Sequence, residues 1–382
     1  MNNQSPWRIE ILREPGALSA LRAEWNDLWL VCPEATEAQS WAWQNLYWQH
    51  VARGHRSLVV TARDTAGKLV AAGALEIRRD RASLLTVLGF SGEHDADYHV
   101  LLRRPDVPLT AGREMFVELL RATGGEISGA EFLNLPGGSW TAEALRLAVP
   151  DLGAFAETGL RRESETYAIT LPASMEEYWA GFSKKTRDRL RGKQRKFERE
   201  MKPEFRVHAD AAHAAEALDD IERVDRSRWG AATKFGDTRQ RAFLRGMITE
   251  LLEAKVARVF TLHAGGRCVA FNVGFLLHGS MKFPYLAHVT DLPGNYSVGL
   301  INNLLAIEHC IAQGVREYDL TRGSEGYKSL LGGAARANVR YLFWRDAQRG
   351  ALAGFNRKFV APLLRNSFAR RIYRAVRGRQ QS

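Results

Sequence analysis

The residues best suited to acid–base chemistry lie within one short stretch, from Asp319 to Lys328. The stretch predicts a short buried strand, a turn after Arg322, and a short helix that carries Tyr327 and Lys328. Charge therefore falls at the carboxyl end of a strand, which is where ligands bind in open α/β sheets. A surface turn with ordinary ion pairs is the alternative for any one of these residues, including Glu325. Their density favours a functional site.

A second candidate is the turn at 294–299, with the sequence Gly-Asn-Tyr-Ser-Val-Gly. It follows a predicted strand over 281–289 and opens a predicted helix over 298–313. Unpaired N–H groups at a helix N-terminus bind phosphate and pyrophosphate, so the turn suits a ligand that carries such groups. A plain helix entry after a Pro-Gly turn is the alternative.

Other catalytic and metal-binding patterns are missing from the sequence. It contains no Ser-His-Asp or Cys-His set, no zinc spacing and no Walker loop. Cys32, Cys268 and Cys310 are far apart and odd in number, which predicts neither a disulfide framework nor a metal knuckle. We therefore expect no metal, and we expect the cysteines to be small buried residues.

Length and composition describe a globular protein with about two cores. The chain has 382 residues, of which 45% are hydrophobic and 25% charged, and one core rarely grows to this size. No run approaches the roughly 18 apolar residues of a membrane span, and the first residues lack the apolar core of a signal peptide. We expect a cytoplasmic protein.

The positive charge is concentrated in two segments. The net charge is +11, yet Lys184–Lys202 alone holds ten basic and three acidic residues, and Arg357–Ser382 holds eight basic residues and no acidic one. The rest of the chain is slightly acidic. An anionic partner would therefore meet one of these segments rather than the whole surface. For the Lys184–Lys202 helix, a solvated surface helix is an equally good interpretation.

The order of predicted elements occurs twice, which indicates an internal duplication. Each copy reads as a strand, two helices, a three-stranded meander, a helix, a strand, a helix and a closing strand. The segments at 59–73 and 259–272 are visibly alike. We predict an α/β (α+β) protein with mixed, mostly antiparallel sheets. Its expected segments are a first half at 1–172, a basic connecting helix at 173–204, a second half at 205–350 and a basic amphipathic tail at 351–382.

Several motifs within this duplicated pattern resemble a known group. They are Trp41–Trp43, Asp97–Tyr98, Ser183–Arg191, Tyr296–Gly299 and Tyr318–Lys328. Through them the chain resembles the CelD/BioF2-like acetyltransferases of the GNAT superfamily, relatives of the Fem-type peptidyltransferases. The resemblance implies a tandem GNAT fold. It also implies acyl transfer to an amine or hydroxyl, from a thioester or, in the Fem branch, from an aminoacyl-tRNA.

The resemblance implies roles for the acid–base residues. Direct transfer needs a base for the acceptor's proton and an acid near the departing sulfur. Asp319 or Glu325 is the candidate base and Tyr327 the candidate acid, with His288 as an alternative base. Arg322 is expected to brace Asp319 or Glu325.

It also implies binding contacts for both substrates. An acetyl-CoA or other acyl-CoA donor is expected at the helix entry, and acceptor contacts are expected from both halves. The donor contacts are Asn295, Tyr296, Ser297, Val298 and Gly299, and the acceptor contacts are Asp97, Tyr98, His288, Arg322 and Lys328. Lys328 is expected to anchor a phosphate or an acceptor carboxylate. The first half is expected to have lost donor binding.

The expected acceptor is an amino sugar or another small or lipid-linked precursor of the cell envelope or of an exopolysaccharide. The basic tail suggests attachment to an anionic membrane surface, a contact with a nucleotide phosphate, or simple packing. A tRNA-dependent transferase, or a non-catalytic binder of nucleic acid or other anions, is the alternative function, with tRNA the less favoured partner.

Overall fold

A computed structural model describes residues 6–14, 16–153, 155–157, 161–212, 214–294 and 296–362. Within these ranges the backbone forms one continuous sheet of 14 strands. The strands are β1 Arg8–Leu12, β2 Arg56–Arg63, β3 Leu69–Arg79, β4 Thr86–Phe90, β5 Leu102–Arg103, β6 Gly129–Pro136, β7 Ala156–Glu157, β8 Arg161–Thr170, β9 Glu204–His208, β10 Ala257–Ala264, β11 Arg267–Leu277, β12 Ser280–His288, β13 Glu317–Arg322 and β14 Ala334–Trp344.

Helices cover both faces of this sheet. They are α1 Ala17–Ala20, α2 Arg22–Val31, α3 Trp41–His50, α4 Leu109–Thr123, α5 Trp140–Ala148, α6 Met175–Ala180, α7 Lys184–Met201, α8 Ala214–Trp229, α9 Thr238–Glu253, α10 Val298–Ala312, α11 Gly326–Leu330 and α12 Ala347–Phe355. The predicted helix and strand order of both halves is confirmed, and most boundaries fall within a few residues of their predicted positions.

The strand order repeats about the centre of the sheet. From one edge it runs β1-β2-β3-β4-β6, and from the other β9-β10-β11-β12-β13. In each run the first four strands are antiparallel, and the fifth joins the fourth in parallel. The two halves therefore have the same topology, and the predicted duplication and α/β fold class are confirmed.

The last strand of each half lies against the other half. β8 ends the first half but pairs with β13, and β14 ends the second half but pairs with β6. β8 and β14 also pair with each other at the centre. Each half, as defined by sequence, therefore contributes its last strand to the other half. As a result, the two halves share one hydrogen-bonded sheet.

Helices from both halves share a core on one face. Trp43 and Tyr47 on α3 stack at 5.0 Å, and Phe243 on α9 packs edge-on to Trp43 at 5.2 Å. This cluster also takes in apolar residues of α2 and α8. On the other face α4 and α5 cover the first half, and α10 covers the second together with the buried residue Leu190 of α7. The core on the first face is therefore continuous across the two halves.

Candidate functional site

The strands β12 and β13 separate after a short parallel contact. Their pairing joins Ser280–Lys282 to Glu317–Asp319 and goes no further, while β12 continues to His288 and β13 to Arg322. In the described part of the chain, the edge of β12 beyond Lys282 has no strand neighbour on the β13 side. A wedge-shaped opening results.

A cavity of about 200 Å³ occupies this opening. Strand residues form two walls, the turn and α11 form a third, and α8 with the loop after it closes the far side. Its lining residues are Asp225, Trp229, Lys234, Phe235, Phe271, Phe283, Pro284, Tyr285, Leu286, Leu320, Thr321, Arg322, Glu325, Tyr327 and Lys328. The cavity thus combines an apolar strand surface with ionisable groups at one end.

Glu325 and Tyr327 both line the cavity. The Glu325 side chain is 59% exposed, and Gly323, at φ +114°, lets its carboxylate approach where a Cβ at 323 would overlap it. Burial raises the pKa of the Tyr327 hydroxyl above its usual value, and the Glu325 charge adds to this shift. Tyr327 is consequently a neutral hydrogen-bond donor across the physiological range.

Lys328 holds the turn together. It is 2% exposed, and its Nζ donates to the carbonyl oxygens of Thr321 at 3.3 Å and Arg322 at 2.5 Å. The same nitrogen lies 3.1 Å from Oε2 of Glu325. These contacts direct the ammonium into the turn itself, whereas the sequence had suggested an anchor for a phosphate or an acceptor carboxylate.

Arg322 joins the turn to the first half. Its Nε donates to Oδ1 of Asp97 at 2.6 Å and its Nη1 to Oδ1 of Asn134 at 3.0 Å. The expectation that Arg322 braces Asp319 or Glu325 is corrected here, because the partner is a carboxylate from the other half. The prediction failed because it considered only residues close to Arg322 in sequence, whereas the partner Asp97 is 225 positions away.

Asp319 lies on the opposite side of the sheet from Glu325 and Tyr327. Leu320 faces the cavity between β12 and β13, so the strand alternation turns Asp319 to the other face, where it lines a separate cavity of about 290 Å³. Its Oδ1 accepts from the Tyr98 hydroxyl at 2.9 Å and from the Thr321 N–H at 2.7 Å. Burial raises the pKa of Asp319. The three candidate catalytic residues are therefore not brought together.

The N-terminus of α10 packs closely against the end of β12. An added Cβ at Gly299 would lie 2.6 Å from Nδ1 of His288, so the strand end and the helix start touch here. Burial, and to a smaller extent Arg228, lowers the pKa of His288. His288 does not line the cavity between β12 and β13. Of the five expected donor contacts, Tyr296, Ser297, Val298 and Gly299 surround this entry, and Asn295 lies outside the described residues.

The basic helix α7 runs beside the start of α10. Lys193 Nζ donates to Oγ of Ser297 at 2.8 Å, and Lys196 Nζ lies 5.2 Å from the centre of the Tyr296 ring. The Tyr296 hydroxyl donates to Oε2 of Glu200 at 2.8 Å. Two lysine side chains therefore accompany the α10 N-terminus, whose N-cap Ser297 makes no side-chain hydrogen bond to the helix backbone.

The equivalent opening in the first half is filled by Glu93. β4 and β6 also form a short parallel pair, but the Glu93 carboxylate accepts from Nη2 of Arg78 and from the Leu133 N–H, both at 2.9 Å. A Cβ at Gly89 would lie 2.5 Å from Oε2 of Glu93. The first half thus places a side chain where the second half has a cavity.

Sequence reasoning missed Glu37, Lys234 and Tyr285. Burial raises the pKa of Glu37 to about 7. The residue Lys234 is exposed as a whole, but its Nζ lies 4.6 Å from the centre of the Tyr285 ring, and loss of solvent around it lowers the ammonium pKa. No local pattern marks these residues, because Lys234 meets Tyr285 only through the packing of the loop after α8 on β12, and Glu37 comes from the first half.

The duplicated topology and the separation of β12 from β13 are those of two GNAT-type folds in tandem, and the family match within the second half supports an acyltransferase. Residues 184–329 match the family of acetyltransferase (GNAT) domains, and this region contains β12, β13, α10 and α11. The chain therefore carries a GNAT domain, related in fold to Fem-type proteins. A comparison with curated protein sequences found no match.

Several solved structures share the whole architecture. The chain is similar to the C-terminal domain (DUF2156) of a protein described as a lysylphosphatidylglycerol synthetase from Agrobacterium fabrum, with TM-score 0.57 and 12% identity over 91% of this chain and 97% of that one. It is similar to L-PGS from Bacillus licheniformis, with TM-score 0.56 and 13% identity over 90% and 96%. It is also similar to FemX, with TM-score 0.57 and 10% identity over 87% and 96%.

Proposed function

We propose that the chain transfers an acyl group from acyl-coenzyme A to an amine, or to a hydroxyl, in the cavity between β12 and β13, which we call the transfer cavity. The observation that carries this proposal is the wedge beyond Lys282 and Asp319, which leaves one strand edge unpaired and ends at Glu325 and Tyr327. The pairs Arg322–Asp97 and Tyr98–Asp319 join the halves beside this wedge.

The residues at the α10 entry fit a pyrophosphate-bearing donor. Free backbone N–H groups of the first helical turn and the nearby Lys193 and Lys196 favour negative charge. Glu200 is the opposing charge nearby, and its bond to Tyr296 turns it toward that hydroxyl. Acyl-coenzyme A would supply a thioester, in which the acyl carbonyl is activated toward attack.

The chain's own groups then complete a direct transfer. The acceptor nitrogen or oxygen attacks the acyl carbon while Glu325 takes its proton. The unpaired edge of β12 offers backbone N–H groups to the carbonyl oxygen, where negative charge develops. As the C–S bond breaks, the Tyr327 hydroxyl gives its proton to the departing sulfur. Both side chains return to their starting states by proton exchange with solvent.

Replacing the base should distinguish Glu325 from Asp319. We expect Glu325→Gln to lower kcat by about 100-fold, near the lower end for general-base catalysis, because water can partly replace an exposed carboxylate. Asp319→Asn should keep most of the activity, because an amide oxygen can still accept from Tyr98 and Thr321. Steady-state kinetics of both variants provides the measurement. A larger loss in Asp319→Asn than in Glu325→Gln would reverse the assignment.

Gly299 should control donor affinity. We expect Gly299→Ala to raise the KM for the acyl donor by about tenfold, because the new Cβ meets the His288 ring and shifts the start of α10. The double variant with His288→Ala removes the obstructing ring and should recover most of the loss. If the single variant binds the donor normally, the donor does not rest on this helix entry. A double variant no better than the single would instead exclude the steric explanation.

The charges around the cavity favour an amine acceptor. Asp225 and Glu325 place two carboxylates in its lining, and a carboxylate attracts an ammonium. Burial lowers the pKa of the Lys234 ammonium beside them, and Asp97 and Asp225 oppose this shift. We therefore propose an amino sugar or another amine, free or lipid-linked, as acceptor. A lipid-linked acceptor agrees with the lysylphosphatidylglycerol synthetase named among the similar structures.

An aminoacyl-tRNA donor is the second candidate, favoured by the exposed basic side chains of α7. We expect acetyl-coenzyme A or a longer acyl-coenzyme A to raise the melting temperature, since a ligand that binds only the folded state stabilises it. tRNA tested beside them should give weaker binding that falls steeply with salt. Stabilisation by aminoacyl-tRNA alone would replace the coenzyme A proposal.

Peripheral membrane contact is proposed for α12 and the turn after it. Leu352, Phe355 and Phe359 are each about half exposed and follow one another at helical spacing. In the described part of the chain, no helix is long and apolar enough to span a membrane. The predicted tail continues this segment, but residues 363–382 lie outside the described residues.

Vesicle binding tests this contact. Exposed aromatic side chains insert into the interfacial region of a bilayer, and basic residues add attraction to anionic lipids. The double variant Phe355→Ser with Phe359→Ser should weaken binding to phosphatidylglycerol vesicles about tenfold or more in co-sedimentation. Leu30→Ser changes an equally exposed apolar residue elsewhere and should have no effect. Equal binding by all three proteins would exclude α12 as the contact.

A further inference from the structure

Three potential metal ligands meet on the face of the sheet that α8 covers. His263 and Cys268 are directly opposite each other in the β10–β11 pairing, so their side chains share one face. Asp220 comes from α8 above that face, and its Oδ2 lies 3.4 Å from Nε2 of His263. The three ligand atoms all lie within 4.8 Å of one another.

The three side chains are shielded from solvent. Cys268 is 2% exposed and Asp220 5%, and His263 is partly buried between them. None of the three lines the transfer cavity. Their positions, 220, 263 and 268, follow no metal-binding spacing, which is why the sequence predicted no metal site.

We propose that Asp220, His263 and Cys268 form a zinc site, with a water molecule as the fourth ligand. A carboxylate, an imidazole and a thiolate are a donor set that suits zinc. Zinc–ligand bonds of about 2.0–2.3 Å place ligand atoms of a tetrahedral site roughly 3.3–3.8 Å apart, and the Asp220–His263 separation already has this value.

The second carboxylate oxygen of Asp220 is held separately. Arg223 donates from Nη2 to Oδ1, which leaves Oδ2 directed at His263. A ligating carboxylate is commonly oriented by such a second hydrogen bond. Coordination needs the Cys268 sulfur as the thiolate, so one proton leaves to solvent for each ion bound.

The site would fasten α8 to the sheet. Asp220 lies five residues before Asp225 on the same helix, about 7.5 Å along its axis, and Asp225 lines the transfer cavity. A zinc ion bridging β10, β11 and α8 therefore fixes the helix that closes the far side of the cavity. The role is structural, and no transfer step passes through it.

Zinc retention by the full chain tests the proposal. Purified protein is incubated with zinc, desalted and analysed for metal by mass spectrometry. The wild-type chain and Cys310→Ser should each retain about one zinc per chain, because Cys310 is an equally buried thiol with no role in the proposed site. Cys268→Ser and His263→Gln should retain less than a tenth of this amount.

Cobalt supplies a second measurement that reports the sulfur ligand. A sulfur-to-cobalt charge-transfer band is expected in the wild type and in Cys310→Ser and should be absent from Cys268→Ser, with circular dichroism verifying that each variant is folded. No retained zinc in the wild type, or equal retention by Cys268→Ser, overturns the proposal. If Cys268→Ser does not fold, His263→Gln supplies the same comparison, and equal retention by that variant also overturns the proposal.

Discussion

A chain carrying Tyr327→Phe is expected to lose a factor of about 10²–10⁴ in kcat, the usual contribution of a positioned general acid. The substitution removes one hydroxyl and leaves the ring in the wall of the cavity. The acyl donor should bind with little change in KM, because the lost interaction acts on the sulfur only as the C–S bond breaks.

The pH dependence gives an independent check on this role. Burial raises the pKa of Tyr327, so the hydroxyl stays protonated in the free enzyme well beyond neutral pH. Tyr327 should therefore produce no fall in kcat/KM as the pH rises from 7 to about 10, the unperturbed tyrosine pKa. A stopped assay of kcat and kcat/KM over this range measures the effect.

Tyr178→Phe is the matched control for this substitution. Its hydroxyl donates to the Leu331 carbonyl at 2.9 Å, and its ring belongs to the same core as Tyr327 without lining the cavity. Loss of the Tyr178 hydroxyl should lower the free energy of unfolding by about 1 kcal/mol and leave kcat near the parent value. If Tyr178→Phe and Tyr327→Phe reduced kcat equally, the role of Tyr327 would be structural.

Local patterns were enough to predict the elements that hold the site. The sequence predicted a strand over 281–289 and a helix over 298–313, and the structure has β12 at Ser280–His288 and α10 at Val298–Ala312. The repeated order of such elements was enough to predict the duplicated fold. These successes share one cause, since each depends on residues that are neighbours in sequence.

The exchange of β8 and β14 could not be predicted in the same way. Both strands pair with the half to which they do not belong in sequence, and neither carries a local signal for its partner. The choice depends on which sheet edge is open once both halves have formed. The contacts of Asp97 and Tyr98 with Arg322 and Asp319 follow from this arrangement.

The sequence alone was sufficient to predict on which face of the sheet Asp319 lies. A strand that buries Tyr318 and Leu320 on one side must turn Asp319 to the other, whereas Glu325 and Tyr327 follow the turn on the Leu320 side. The three residues are close in sequence, which suggested a single group. The alternation of side chains along the strand instead places Asp319 on the face opposite Glu325 and Tyr327. Glu37 is different, because its environment is assembled from both halves and no spacing indicates it.

The substitution Glu37→Gln should make the folded chain more stable above neutral pH. Glu37 is 4% exposed, and burial raises its pKa from 4.5 to about 7, with Asp97 and Asp319 adding to the shift and Lys282 opposing it. Between these two values the folded state keeps a proton that the unfolded state has lost. The stability that Glu37 contributes is full below pH 4.5 and is lost as the pH rises through 7.

The size of the effect follows from the shift. At about 1.4 kcal/mol for each pKa unit, the folded parent should lose roughly 3 kcal/mol between pH 5 and pH 8.5 through Glu37 alone. The glutamine variant carries no charge at either pH and should escape this loss. Urea unfolding of both proteins at several pH values measures the difference, with Glu308→Gln at an exposed position as the control.

The charge on Glu37 would act at the joint between the halves. Asp97 pairs with Arg322 and Asp319 accepts from Tyr98, and an ionised Glu37 repels both carboxylates. The weakened contacts are those that hold the turn bearing Glu325 and Tyr327 against the first half. If the parent and Glu37→Gln kept the same difference in unfolding free energy at every pH, Glu37 would not titrate in this range, and the joint would not respond to pH through this residue.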